Sequence, residues 1–406
     1  MKILGVWMWS RSIRLRGAEE VMARCADAGV TDIYFLAKGL LGTAAYKSSL
    51  VPADGERDLM AEALEAAHKR NIRLHAWFTT ACDRQYVSTH PESGRYHIRK
   101  GPDDQMVSLT DEGYQTYMED VVREISRNYL IDGIHLDYIR YNHITSGWSE
   151  ADLKLYEEEG ADPARLHEMM DRMYYREEER DENLLFDAYR SGDKDAAAFA
   201  RARRKQVVKF ARRLRDAAKT ENDNLIITAA LMPEGAYDDP TFADLHYGQN
   251  YKDAVGLYDY VLPMAYTKSY DKDGTWLQKL AENCGKAGLK TVMGLQAFPA
   301  ATGNSLVEEI DALQNTGIGG ICLFREGSCA MAYKNGCSVT VYNATEDSIT
   351  AVTACGKQEN IRIQTELKPG EAADLTLPFD VVSICAFAGE AGTREVSVFT
   401  AERQTI

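Results

Sequence analysis

Along the chain, short apolar runs alternate with longer stretches whose apolar residues recur every three or four positions. The first pattern predicts buried strand and the second amphipathic helix. The predicted strands are 3–9, 32–37, 73–79, a run within 129–141, 225–232, 260–266, 291–295 and 320–324. Helical periodicity falls between them, at 18–28, 59–70, 111–127, 277–287 and 306–316. Strands this continuously apolar suit a parallel sheet covered on both faces. Eight βα-like repeats predict a closed (β/α)8 TIM barrel. A doubly wound open sheet is the alternative, but no G-x-G-x-x-G follows the first strand.

Two features break the repeat. The distance from Tyr141 to Leu225 is far longer than an ordinary crossover, and it holds charged helical stretches at 152–180 and 193–219. A helical insertion over about 143–220 is expected, either as plain solvated helix or as a wall or lid over the barrel mouth. After Phe324 only about a dozen residues precede the next strand-like run, so the eighth helix is expected to be short or missing. Beyond Gly336 the pattern changes to short alternating runs: CSVTVYNA, SITAVTA, NIRIQTEL, ADLTLP, VVSICAFA and REVSVFTA. These predict a C-terminal all-β, sandwich-like domain over 337–406 behind a barrel over 1–336. Its expected task is to cover the barrel surface that a missing helix leaves bare.

The run YLIDGIHLDYIRY carries charge at the end of a buried strand, where parallel α/β folds bind ligands. Period-two alternation puts Gly133, His135 and Asp137 on one side. If that side is the lumen, the Asp137 carboxylate points into the mouth. The plainer reading is a structural ion pair with Arg140. DGIHLDYIRY resembles the fourth-strand signature of glycosyl-hydrolase-like family ten, a group of (β/α)8 barrels. VWMW at 6–9, AYKSSLVP at 45–52, HAWF at 75–78, the basic stretch FARARRKQVVKFARRLR at 199–215 and LPMAY at 262–266 resemble further segments of that family in the same order. The resemblance covers about residues 1–330 and implies hydrolysis of glycosidic bonds, in some members those of bacterial cell-wall glycan. The chain departs from the pattern at Lys38, where arginine is more usual, and in the insertion after Tyr141.

Glycosidic cleavage uses two carboxyl groups, one donating a proton to the leaving oxygen and one attacking or activating water. Asp137 is the first candidate. Glu234 follows the fifth strand on the same alternation face as Thr228, Ala230 and Met232, and is the second; the alternative for it is an ordinary loop acid. Glu326 is the reserve, with Asp83 after it. Neighbouring strand ends favour retention through a glycosyl–Asp137 intermediate with Glu234 as acid and then base. Glu326 as partner predicts inversion instead. Trp7, Trp9, Trp77 and Tyr266 are expected to stack on sugar or to be plain core. Lys38, His75, Arg140, Tyr141, Gln296, Arg325 and Glu326 are expected at the same rim as substrate contacts. His135 reads as a hydrogen-bonded core residue. The other class of function left open is a non-catalytic glycan-binding barrel.

Composition narrows this little. The chain has 406 residues, and its net charge of −15 disfavours nucleic acid as a partner while suiting a carbohydrate. The eight cysteines include no C-x-x-C pair, and Cys322 and Cys385 read as buried thiols of a reducing compartment. No metal-ligand spacing or cofactor motif stands out, so no cofactor is expected. No apolar run approaches a membrane span. The chain is expected to be cytoplasmic, or exported and seen without its signal peptide. Nothing in the composition fixes an oligomeric state.

Overall fold

The computed structural model describes residues 2–178, 180–297, 303–396 and 398–402. Eight strands run parallel: β1 (Ile3–Met8), β2 (Asp32–Lys38), β3 (Arg73–Thr79), β4 (Gly133–Asp137), β5 (Ile226–Leu231), β6 (Tyr260–Pro263), β7 (Val292–Gln296) and β8 (Gly320–Phe324). Their hydrogen-bonded order is β6-β5-β4-β3-β2-β1-β8-β7. Parallel bridges from Val261 to Thr291 and from Met264 to Gly294 join the two ends. The sheet is therefore a TIM-like barrel with helices between its strands. Alternate residues of each strand divide between two cores. Trp7, Tyr34, Trp77, Leu262 and Cys322 fill the lumen. Residues such as Val6, Ile33, Phe78, Leu136 and Ile227 face outward onto the helices.

The fourth strand is shorter than its apolar run predicts. The preceding helix extends to Asn128, and Leu130 is 85% exposed, so the run's first residues are a connection. At the other end Tyr138 takes a left-handed φ of 53°, which stops the strand. Gly133 starts it because a Cβ there would lie 2.4 Å from the His75 ring and 2.3 Å from the Ile226 carbonyl. No sequence signal marked the antiparallel hairpin of Gly94–His97 with Gly101–Val107, which follows β3.

The insertion is more than solvated helix. Helices Glu150–Glu158, Pro163–Tyr174 and Leu184–Arg190 pack on the first half of helix Lys194–Glu221. Together they enclose their own core around Tyr156, Met170, Leu185 and Phe199. The second half of the long helix packs along helix Glu112–Asn128 as the crossover between β4 and β5.

After β8 the chain passes directly to β9 (Ala330–Asn335), followed by β10 (Ser338–Tyr342), β11 (Ile349–Cys355), β12 (Asn360–Leu367), β13 (Ala372–Thr376), β14 (Ser383–Ala388), β15 (Arg394–Val396) and β16 (Val398–Glu402). They form two four-stranded sheets, ordered β13-β10-β9-β16 and β12-β11-β14-β15, which share one core around Val341, Val352, Leu367 and Ile384. All pairings are antiparallel except β9 with β16. The all-β region thus takes in Ala330–Asn335, ahead of the change in pattern at Cys337. The REVSVFTA run divides between the two sheets, and its Ser397 lies outside the described residues, as do 403–406. Cys385 is half-buried, whereas Cys322 is fully buried in the lumen. The two units are clamped together: the Arg24 guanidinium lies 3.3 Å from the Tyr342 ring centroid, and the Tyr342 hydroxyl donates to Glu20 at 2.7 Å. Among the described residues no helix is long and apolar enough to cross a membrane.

Candidate active site

The C-terminal ends of the barrel strands surround a cavity of about 520 Å3, within the usual range for a small-molecule site. Its floor and walls are largely aromatic: Trp7, Trp9, Trp77, Tyr266 and Phe324. The barrel interior beneath is a satisfied polar chain. The Trp7 indole donates to His135 Nε2 at 2.9 Å, and His135 Nδ1 pairs with the Thr228 hydroxyl at 2.8 Å. Burial pushes the His135 pKa well down, so its ring is neutral and accepts from Trp7. His135 is a lumen core residue, as its sequence position predicts.

One layer above it sits Asp137, 5% exposed, at the last position of β4. Three groups donate to its carboxylate: the Tyr138 amide at 2.6 Å, Arg140 Nη1 at 3.3 Å and the Trp77 indole at 3.3 Å. The left-handed Tyr138 makes the first of these contacts possible, because it folds the backbone amide onto the preceding side chain. Burial raises the Asp137 pKa above the ordinary aspartate value, although Arg140, the Tyr138 amide and Trp77 all pull it down. Arg140 also lies with its guanidinium 4.5 Å from the Tyr138 ring centroid and lines the cavity.

Glu234 stands in the 3-10 turn Pro233–Ala236 that follows β5, the strand paired with β4. It does not line the cavity. Burial raises its pKa above the ordinary glutamate value, opposed by the Tyr270 hydroxyl, which donates to both carboxylate oxygens at 3.2 and 3.3 Å, and by the charge of Arg140. Arg140 therefore acts electrostatically on both acids.

None of the remaining expected rim residues lines the cavity. Lys38 is fully buried and its Nζ lies 2.7 Å from Asp83, itself buried, so neither reaches the mouth. That pair fixes the loop after β2. Gly42, at φ +77°, passes so close that a Cβ would lie 2.0 Å from the Asp83 carboxylate. His75 lies low in the barrel, stacked on Tyr34 at 4.8 Å and bound to Asp32 at 2.9 Å. Tyr141 points away from the lumen and is covered by the Arg203 guanidinium at 3.8 Å. Gln296 accepts from the amide and hydroxyl of Ser269, both at 3.1 Å. Arg325 stacks on Trp9 at 3.5 Å and pairs with Glu346 of the C-terminal unit at 3.0 Å. Glu326 pairs with Arg16 at 2.5 Å and faces a different cavity, between barrel and C-terminal unit. It is not across the mouth from Asp137.

Sequence reading missed other members of the site. Leu40 and Leu41 line the cavity from the loop after β2 although 38% and 58% exposed. Their signal was an apolar pair bracketed by Gly39 and Gly42. Asp54 joins Asp137 on the cavity lining, but it is half exposed and its carboxylate is held by Arg14 at 2.8 Å. In the sequence it reads as a turn residue of Pro-Ala-Asp-Gly, with nothing to single it out.

The family model described as glycosyl hydrolase-like 10 matches residues 41–300. No curated protein matches the chain by sequence. Among solved structures, the PgaB (BpsB) glycoside hydrolase domain from Bordetella bronchiseptica aligns with a TM-score of 0.66 at 14% identity, over 80% of this chain and 94% of that one. The alpha-L-fucosidase isoenzyme 2 from Paenibacillus thiaminolyticus aligns with a TM-score of 0.56 at 15% identity, over 80% of this chain but only 46% of that one. The catalytic domain of beta-amylase from Paenibacillus polymyxa aligns with a TM-score of 0.56 at 11% identity, over 80% and 92% of the two chains. At such identities the likeness shows the barrel fold alone.

Proposed function

The chain belongs to the glycosyl hydrolase-like 10 family, and from that premise we propose that the mouth cavity hydrolyses an O-glycosidic bond of an oligo- or polysaccharide with Asp137 and Glu234 as its acid pair. The observation that carries this reading is the buried Asp137 carboxylate, set in an aromatic cavity with Arg140 acting on both acids. Asp137 receives three donors from other residues, which favour its ionised form, whereas Glu234 receives the Tyr270 hydroxyl and its own backbone amide. Asp137 is therefore the nucleophile and Glu234 the proton carrier.

In the first step an Asp137 oxygen bonds to the anomeric carbon while the bond to the leaving oxygen breaks, and that oxygen takes the Glu234 proton. In the second, water attacks the glycosyl ester, Glu234 takes a proton from it, and Asp137 leaves as carboxylate. The aromatic side chains of the mouth offer flat apolar faces to the sugar ring. Strands β4 and β5 are neighbours, about 4.8 Å apart, which suits the close carboxyl spacing of a retaining enzyme. Release of reducing ends from a polysaccharide panel, with bacterial cell-wall glycan included, tests the activity. Proton NMR of the first-formed anomer tests the route, and the expected product has retained configuration. An inverted product removes the double displacement. Binding without release supports a non-catalytic glycan-binding barrel, a reading that Glu234's absence from the cavity lining favours.

A further inference from the structure

A second cavity, of about 360 Å3, lies beside the mouth. Its base is a group of near-parallel rings. Phe242 stacks on His246 at 4.0 Å and 23°, and Phe186 lies 6.0 Å from Phe242 at 10°. His143 meets His246 edge-on at 4.5 Å. Burial pushes the His246 pKa down to about 3, so the stack is uncharged at neutral pH. Phe242 is 40% exposed although large and apolar. The polar rim consists of the exposed amides of Asn142 and Asn183 and the exposed Arg180–Glu182 pair, 2.9 Å apart.

The platform is rigidly backed. The buried Arg203 guanidinium donates to the backbone carbonyls of His143 at 2.9 Å and His246 at 3.0 Å, tying together the loops after β4 and β5 that supply the rings. Flat uncharged rings with planar amides around them match a sugar unit, which presents an apolar C–H face and a rim of hydroxyls. The chain also links this cavity to the mouth. Arg140 lines the mouth, and Asn142 and His143, two and three residues on, line this cavity. Tyr247 lines it as well and interacts electrostatically with both Glu234 and Arg140.

We propose that this cavity is a distal subsite for a further sugar unit of the same glycan chain, with the helical insertion as one of its walls through Tyr174, Asn183 and Phe186. The proposal rests on the reading of the mouth as a glycosidase site. It makes the substrate an oligosaccharide or polysaccharide longer than a disaccharide, held at both the mouth and the insertion.

The test is an array of defined oligosaccharides, two to eight units long, probed with full-length Asp137→Asn protein and with the same protein carrying Phe242→Ala. Phe242→Ala should weaken binding of the longer ligands by about tenfold and leave the shortest unchanged. Asn183→Ala, at an exposed position, should give a smaller loss with the same dependence on length. Unchanged binding of long ligands by both variants overturns the subsite and leaves the mouth reading intact. Equal loss for short and long ligands also overturns it. If Asp137→Asn protein binds no oligosaccharide at all, the glycosidase reading itself fails.

Discussion

Asp137 is held by opposing forces. Burial favours its neutral form, while Arg140, the Tyr138 amide and Trp77 favour its charge, and the net result is a raised pKa. Glu234 is raised as well, by burial, and lowered in part by Arg140. Activity by the proposed route needs Asp137 ionised and Glu234 protonated. The rate therefore falls on the acid side as pH drops through the Asp137 pKa, and on the alkaline side as pH rises through that of Glu234, so both limbs stand above ordinary carboxylate values. Replacing Arg140 with Gln removes a charge that lowers both pKa values. A pH profile of kcat/KM for Arg140→Gln should show both limbs moved to higher pH; limbs that stay in place would separate Arg140 from the pair. Asp137 was legible in the sequence because two-residue alternation along a buried strand fixes which side chains enter the lumen. Lys38 and His75 were misplaced because position along a strand does not tell a rim group from one already consumed by a partner. Asp83 and Asp32 are those partners, and they come from other segments of the chain.

At the scale of elements, the loop after β2 illustrates what alternation leaves out. It contributes Leu40, Leu41 and Asp54 to the mouth, and it is fixed in part by the buried Lys38–Asp83 pair. Asp83 also accepts from the Tyr86 amide, capping helix Arg84–Thr89. Asp83→Asn strands a buried ammonium and should cost about 3–5 kcal/mol of stability. Chemical denaturation measures this, and a loss below about 1 kcal/mol would show that Lys38 finds another partner. The barrel strands were legible because each is a short, continuously apolar run. The hairpin after β3 was not, since its second strand, GPDDQMV, is half-exposed and carries two aspartates. Nor did charge content reveal that the insertion has a core, because its apolar residues are spread thinly over four helices that meet only in three dimensions.

For the whole molecule, no helix separates β8 from the C-terminal unit among the described residues, and Tyr342 is one of that unit's anchors on the barrel through Arg24 and Glu20. Tyr342 is 2% exposed, and Tyr342→Ala should lower stability by about 3 kcal/mol, read as a shifted denaturation midpoint. An unchanged midpoint would mean that the Tyr342 contact contributes nothing to stability. The change of pattern at Cys337 disclosed this unit but not that Ala330–Asn335 belongs to it, because those residues acquire a strand partner only through β10 and β16. The proposed glycan hydrolysis rests on family membership and the aromatic mouth, and it depends above all on Asp137. The most direct test is turnover by Asp137→Asn protein of whichever panel glycan the parent cleaves, with circular dichroism confirming the fold. A loss of about a thousandfold or more is expected, because an amide of equal volume cannot serve as nucleophile; near-parental turnover in a folded Asp137→Asn protein would remove Asp137 from the mechanism.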